Sequence, residues 1–157
     1  MKKKLVYFCI AITISLAIGA LSGFATQGSA YEWYSSLKKP GYNPTPWVFT
    51  LIWTILYALM GLSAGLVLAK GFHHVWVKSA LYHFGLQLLF NALWALVFFG
   101  SQNPFWGLLV ILCLLVILLF TIKWFNVVSK TAAFLLIPYF LWICFIALLN
   151  YRIWELN

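Results

Sequence analysis

The sequence predicts an all-α membrane protein: a five-transmembrane-helix bundle with a long loop between helices 1 and 2. Three observations carry that reading. The chain of 157 residues is 65% hydrophobic and 8% charged, too little polar surface to clothe a soluble domain. Its charges and turn residues divide it into five apolar stretches, each close to the roughly 20 residues that a helix needs to cross about 30 Å of hydrocarbon. The period-two alternation of a membrane β-barrel is absent.

The spans run about 5–25, 46–69, 79–99, 105–122 and 131–151, within a single membrane domain over 1–157. The first follows Lys2, Lys3 and Lys4, and Gly28-Ser29-Ala30 could mimic a signal-peptide cleavage site. Its uncharged stretch, 5–26, is 22 residues long. The apolar region of a secretory signal is roughly 7–15 residues, so this one is read as a retained span. Spans two and four each start at an N-cap residue followed by proline, Thr45-Pro46 and Asn103-Pro104. Gly100-Ser101-Gln102-Asn103-Pro104 interrupts a 44-residue uncharged run and separates spans three and four. In span five, Pro138 should kink the helix and free the carbonyl near position 134.

Lys and Arg divide seven to three between the two sides: Lys2, Lys3, Lys4, Lys70, Lys78, Lys123 and Lys130 against Lys38, Lys39 and Arg152. This favours a cytoplasmic N-terminus with the first long loop outside. The net charge of +8 reflects these flanks, and no nucleic-acid partner is expected. Cys9, Cys113 and Cys144 lie in apolar runs and read as small hydrophobes. Ala11, Ser15, Gly19 and Gly23 form one small-residue stripe, and Gly61, Gly65 and Ala69 another. Such stripes let helices approach closely, either inside the chain or across a dimer seam.

Six tryptophans near span ends, Trp33, Trp47, Trp76, Trp106, Trp124 and Trp154, suit an interfacial belt. Trp53, Trp94 and Trp142 lie deeper. Counting 1.5 Å per residue from the end nearest the long loop puts all three roughly 9–12 Å into the membrane on one side. His83, Gln87, Asn91 and Trp94 fall on one face of span three, and Trp53, Tyr57 and Gly61 share a face of span two. Two readings stand. Gln87 and Asn91 are interhelical hydrogen-bonding glue in a Trp-packed bundle, or they help line a cavity for a flat, mostly apolar molecule. His83 has no second intramembrane histidine with which to hold haem. The spans carry no Asp, Glu, Lys or Arg, which weighs against an ion pump. No catalytic triad, P-loop or metal-ligand cluster is present in the sequence.

Three blocks resemble the translocator protein family, the tryptophan-rich sensory proteins also called peripheral-type benzodiazepine receptors. The first is Trp33-Tyr34-x-x-Leu37-x-Lys39-Pro40, Pro44-x-Pro46-Trp47-x-Phe49 and Trp53-x-x-Leu56-Tyr57-x-x-Met60-Gly61. The second is Gln87-x-x-x-Asn91-x-x-Trp94 with Phe98-Phe99-Gly100. The third is Pro138-Tyr139-x-x-Trp142-x-x-Phe145 with Leu149-Asn150-Tyr151.

The resemblance implies a five-helix bundle, often a homodimer, in a bacterial cell membrane. It implies a receptor or sensor for porphyrins and aromatic drug-like ligands, bound under the first loop. The matching ligand positions are Tyr34, Pro44, Trp53, Asn91, Trp94 and Trp142, to which the polar and aromatic pattern adds Tyr57, Gln87 and Phe145. Porphyrin is expected as ligand, with no cofactor required. Some bacterial members degrade porphyrin in light, which would make Trp53 and Trp142 the catalytic residues. Transport of tetrapyrrole or lipid is a third reading. The sterol segment of animal members, Leu-x-Tyr-x-x-x-Arg, is broken here: Arg152 follows Tyr151 directly and Glu155 stands where the later Arg would be. Ile146 replaces a smaller residue and should narrow the pocket.

Overall fold

The computed structural model describes residues 2–24 and 26–157. Seven helices carry the fold: α1 (Lys2–Phe24), α2 (Ser29–Ser36), α3 (Pro46–Leu68), α4 (Val75–Ala95), α5 (Pro104–Val128), α6 (Lys130–Leu135) and α7 (Ile137–Leu156). α4 widens into a π-helical turn over Leu96–Gly100. Five spans result, because α4 with its π turn forms the third and α6 with α7 the fifth. No strand occurs among the described residues. The chain is an all-α, five-span integral membrane protein.

The helices overrun the sequence-predicted limits. α4 begins at Val75, α5 continues through Lys123 to Val128, and α7 ends at Leu156. Lysine placed beyond the hydrocarbon can extend its stem outward without ending the helix, so a charge marks the membrane boundary and not the helix boundary. The proline signals locate the breaks well. Asn103 caps α5 with its side-chain oxygen, accepting from the backbone N–H groups of Phe105 (3.0 Å) and Trp106 (3.3 Å). Thr45 occupies the N-cap position of α3 but makes no side-chain cap bond. Pro138 separates α6 from α7, with Leu136 between them donating its N–H to the Ala133 carbonyl. Ser63 of α3 braces this break: its buried hydroxyl donates to the Ala132 carbonyl at 2.6 Å.

α1 lies along α3, and α5 lies between α4 and α7. The small-residue stripe explains the first pairing. A Cβ on Gly61 would collide with the Ile12 backbone, and one on Gly65 would stand 2.5 Å from the Phe8 ring. Gly19 admits the Tyr57 ring, where a Cβ would be 2.5 Å from Cδ2. The stripe is therefore used within the chain, since lipid offers no hydrophobic drive and helices associate through close packing. Met60 of α3, Ile111, Leu118 and Phe125 of α5, and Ile143 of α7 are fully buried.

The connector over 26–45, expected as a loop without helix, contains α2. Glu32 lies in the first turn of α2, where the helix dipole favours an acid. Trp33 and Tyr34 face the bundle, with ring centroids 5.5 Å and 6.1 Å from Phe98. Trp33 thus packs inward and is no simple membrane anchor, whereas Trp47 is 69% exposed and suits that role. The connector is pinned to the end of α7. Lys38 N–H donates to Asn157 Oδ1, and Asn157 Nδ2 donates to the Lys38 carbonyl, both at 3.0 Å. This places the connector and the C-terminal turn on one side, as the span count requires.

Candidate ligand site

The deep tryptophans meet. Trp53 of α3 stacks on Trp94 of α4 with centroids 6.2 Å apart, and Trp142 of α7 meets Trp53 edge-on at 6.4 Å. Phe49 stands one turn outward from Trp53 and lies 6.1 Å from it and 6.0 Å from Trp142. The offset and edge-on geometries suit the quadrupoles of aromatic rings. Two ring hydroxyls and three amides organise the polar side. Asn91 Nδ2 donates to the Tyr57 hydroxyl at 3.0 Å, inside the bundle. Trp94 Nε1–H donates to Asn150 Oδ1 at 3.1 Å, and Asn150 Nδ2 donates to the Pro104 carbonyl at 2.6 Å. Tyr34 donates its hydroxyl to Asn43 Oδ1 at 2.8 Å.

Two adjoining cavities open among these groups. The larger, about 380 Å³, lies between α1, α3 and α4 and is lined by Trp53, Tyr57, Asn91 and Trp94 together with Phe49 and Phe99. The other, about 230 Å³, lies under the connector and is lined by Tyr34, Lys39, Pro44, Phe98, Ile146 and Asn150. Thr26, Phe49, Thr50, Trp94 and Phe99 belong to both walls, so the spaces share a boundary. The larger falls within, and the smaller approaches, the roughly 300–1,000 Å³ usual for small-molecule sites, and mainly apolar walls with a few placed polar groups are the usual chemistry of such sites.

Six of the nine sequence-identified positions line these cavities: Tyr34, Pro44, Trp53, Tyr57, Asn91 and Trp94. Trp142 and Phe145 stand behind them, with centroids 5.2 Å apart. Trp142 reaches the site through Phe49 and Trp53. Gln87 is fully buried one turn inward from Asn91, in neither wall. His83 also leaves the shared face: its Nδ1 bonds to the Ser79 carbonyl at 2.8 Å, and its ring lies 6.1 Å from Trp124 of α5. Ile146 lines the cavity under the connector, as its size change suggested.

The residues that sequence reasoning missed as lining include Thr26, Asn43, Phe49, Thr50, Phe98 and Phe99. Phe49 was legible as the residue four before Trp53. Phe98 and Phe99 both turn inward, 2% and 7% exposed, through the π turn, which the sequence does not announce. Such turns recur at functional sites.

The connector acts as a tied roof. Lys39 Nζ donates to the carbonyls of Tyr34 (2.6 Å), Leu37 (2.9 Å) and Ser35 (3.2 Å) and lies 4.8 Å from the centre of the Tyr34 ring. All three ammonium donors are spent on the carbonyl end of α2, where a cation suits the dipole. The lysine thus points inward. Burial raises the pKa of Tyr34 above the usual tyrosine value of 10.0, partly offset by its bond to Asn43, so the phenol stays a neutral donor. Trp53 and Trp142 carry buried indole N–H groups that find no acceptor among the described residues.

The sequence model of the TspO/MBR family matches residues 11–155. The chain is 36% identical over 157 residues to the tryptophan-rich protein TspO of Chlorobaculum tepidum, covering 100% of this chain and 99% of that one. It is 39% identical over 155 residues to the protein of the same name in Archaeoglobus fulgidus, covering 98% and 97%. Against the translocator protein of Bos taurus it is 34% identical over 154 residues, covering 94% and 89%.

Proposed function

The chain belongs to the TspO/MBR family, and from that premise we propose that it is a membrane receptor or sensor. Its ligands are porphyrins and similar flat aromatic molecules, held in the Trp-lined space beneath the roof. One observation supports this most: Trp53 and Trp94 present stacked indoles on a mainly apolar cavity wall, with Asn91 and Tyr57 at its polar edge. A porphyrin would lie against indole faces, and its polar substituents would meet the amide and phenol groups. No cofactor is needed for binding. The same proposal puts the protein in a bacterial cell membrane with a cytoplasmic N-terminus, working as a homodimer.

Titrating protoporphyrin IX into the purified protein should quench tryptophan fluorescence saturably. Quenching that rises linearly without saturation counts against the pocket.

A second reading adds chemistry at the same place. Trp142 meets Trp53 edge-on, and the indole pair can give one electron to a photoexcited porphyrin, which passes it to dioxygen as superoxide. The indole radical is refilled by an electron from the porphyrin, so the net step oxidises porphyrin and reduces dioxygen. In that reading Trp53 and Trp142 are catalytic residues. Loss of the porphyrin Soret band under illumination should then slow strongly in Trp53→Phe and Trp142→Phe; equal bleaching reduces the effect to ordinary photochemistry.

A further inference from the structure

α1 is the span least embedded in the bundle: 11% of its apolar window is buried, against 33–44% in the other four. It is held to α3 at Gly65, Gly61 and Gly19, where neighbouring atoms occupy the space a Cβ would take. Outward from Gly19 the larger cavity is walled by both helices. Ala20 and Gly23 of α1, with Thr50 and Thr54 of α3, line the larger cavity and are exposed. A Cβ on Gly23 would meet nothing within 4 Å. Thr54 lies eight residues below Pro46, about 12 Å along the helix, so the gap reaches the hydrocarbon and not only the headgroups.

The rim is made compatible with lipid by its hydrogen bonding. The hydroxyls of Ser22, Thr50 and Thr54 donate to the carbonyls of Ile18, Pro46 and Thr50, each four residues earlier on the same helix, at 2.9, 3.0 and 2.9 Å. These back-bonds use the hydroxyl protons, so the rim presents methyl and methylene groups to the bilayer. The roof, by contrast, is tied at Lys38 to Asn157 and at Lys39 to three carbonyls.

We propose that the gap between the outer halves of α1 and α3 is a lateral portal, through which a hydrocarbon-soluble ligand passes directly between the bilayer and the cavity. The assignment of such a ligand rests on the function proposed above; the opening itself does not. Its chemistry selects molecules that partition into the membrane.

Protein in lipid nanodiscs tests this by stopped-flow quenching with protoporphyrin IX. Ala20→Phe and Thr54→Phe should lower association and dissociation rates together by about tenfold, the effect of roughly 1.4 kcal/mol on a shared barrier. Asn157→Ala, which frees the roof, should leave the association rate unchanged. Unchanged rates in both bulky variants, or faster association in Asn157→Ala, overturn the portal.

If the native protein binds no porphyrin, the pocket reading fails, and a ligand-free measurement decides the portal. Phosphatidylcholine with brominated acyl chains should quench Trp53, read as the difference between the native chain and Trp53→Phe, and should lose that quenching in Ala20→Phe. Equal quenching of Trp53 in Ala20→Phe, or none in the native chain, overturns it.

Discussion

Trp94 and Asn150 join α4 to α7 beneath the roof: the indole N–H donates to the amide oxygen at 3.1 Å, while the amide nitrogen reaches the Pro104 carbonyl at the start of α5. One asparagine therefore ties three helices. Both ends of its amide are used, and Asn150 is 2% exposed, so a replacement leaves a buried donor and a buried acceptor unpaired.

Asn150→Leu should destabilise the protein by about 1–3 kcal/mol, the cost of orphaned buried polar groups. Thermal unfolding in detergent reads this as a lower midpoint, and a further drop in hydrogen-exchange protection is expected at the start of α5. A midpoint equal to that of the native chain would make the bridge dispensable.

The glycine contacts give a matched pair of outcomes. Gly61→Ala puts a methyl group against the Ile12 backbone, which cannot give way as a side-chain tip can. Overpacking of this kind costs about 1–3 kcal/mol. Gly23→Ala meets open space and should be neutral or slightly stabilising, since alanine is the better helix former. Thermal midpoints of the two variants, measured side by side, check the assignment of the stripe to packing within the chain.

The roof should loosen at high pH. Tyr34 has its pKa raised above 10.0 by burial, so the folded chain holds this proton more tightly than the unfolded one. The contribution is complete below pH 10.0 and is lost as pH rises through the shifted value, when an anionic phenolate can no longer donate to Asn43. Hydrogen exchange over 30–45 should rise in that window, and Tyr34→Phe should abolish the pH step.

Much of this architecture was legible because the informative residues are local. Proline and asparagine mark the breaks at 103–104 and 136–138, and rise per residue places Trp53, Trp94 and Trp142 at one depth. What depth counting does not give is rotation. These helices are apolar on nearly every side, so periodicity does not say which face looks inward. Gln87 and His83 share a stripe with Asn91 on paper, yet Gln87 sits below the cavity floor and His83 turns to Trp124. Trp142 is displaced from the wall for a related reason, because Phe49 from the adjacent helix fills the space before it. α2 was hidden by its short length. Eight residues between glycine and proline signals read as loop, and it is docking of Trp33 and Tyr34 on Phe98 that makes the helix worthwhile.

The central claim is that Trp53 forms the floor against which a flat aromatic ligand stacks. Equilibrium titration of Trp53→Leu with protoporphyrin IX, read by the porphyrin's own absorbance so that the lost indole does not enter the signal, measures it most directly. The dissociation constant should rise by about tenfold or more, the worth of one lost aromatic contact with its burial. A dissociation constant within about twofold of the native value would contradict the account, since that difference is well under 1 kcal/mol.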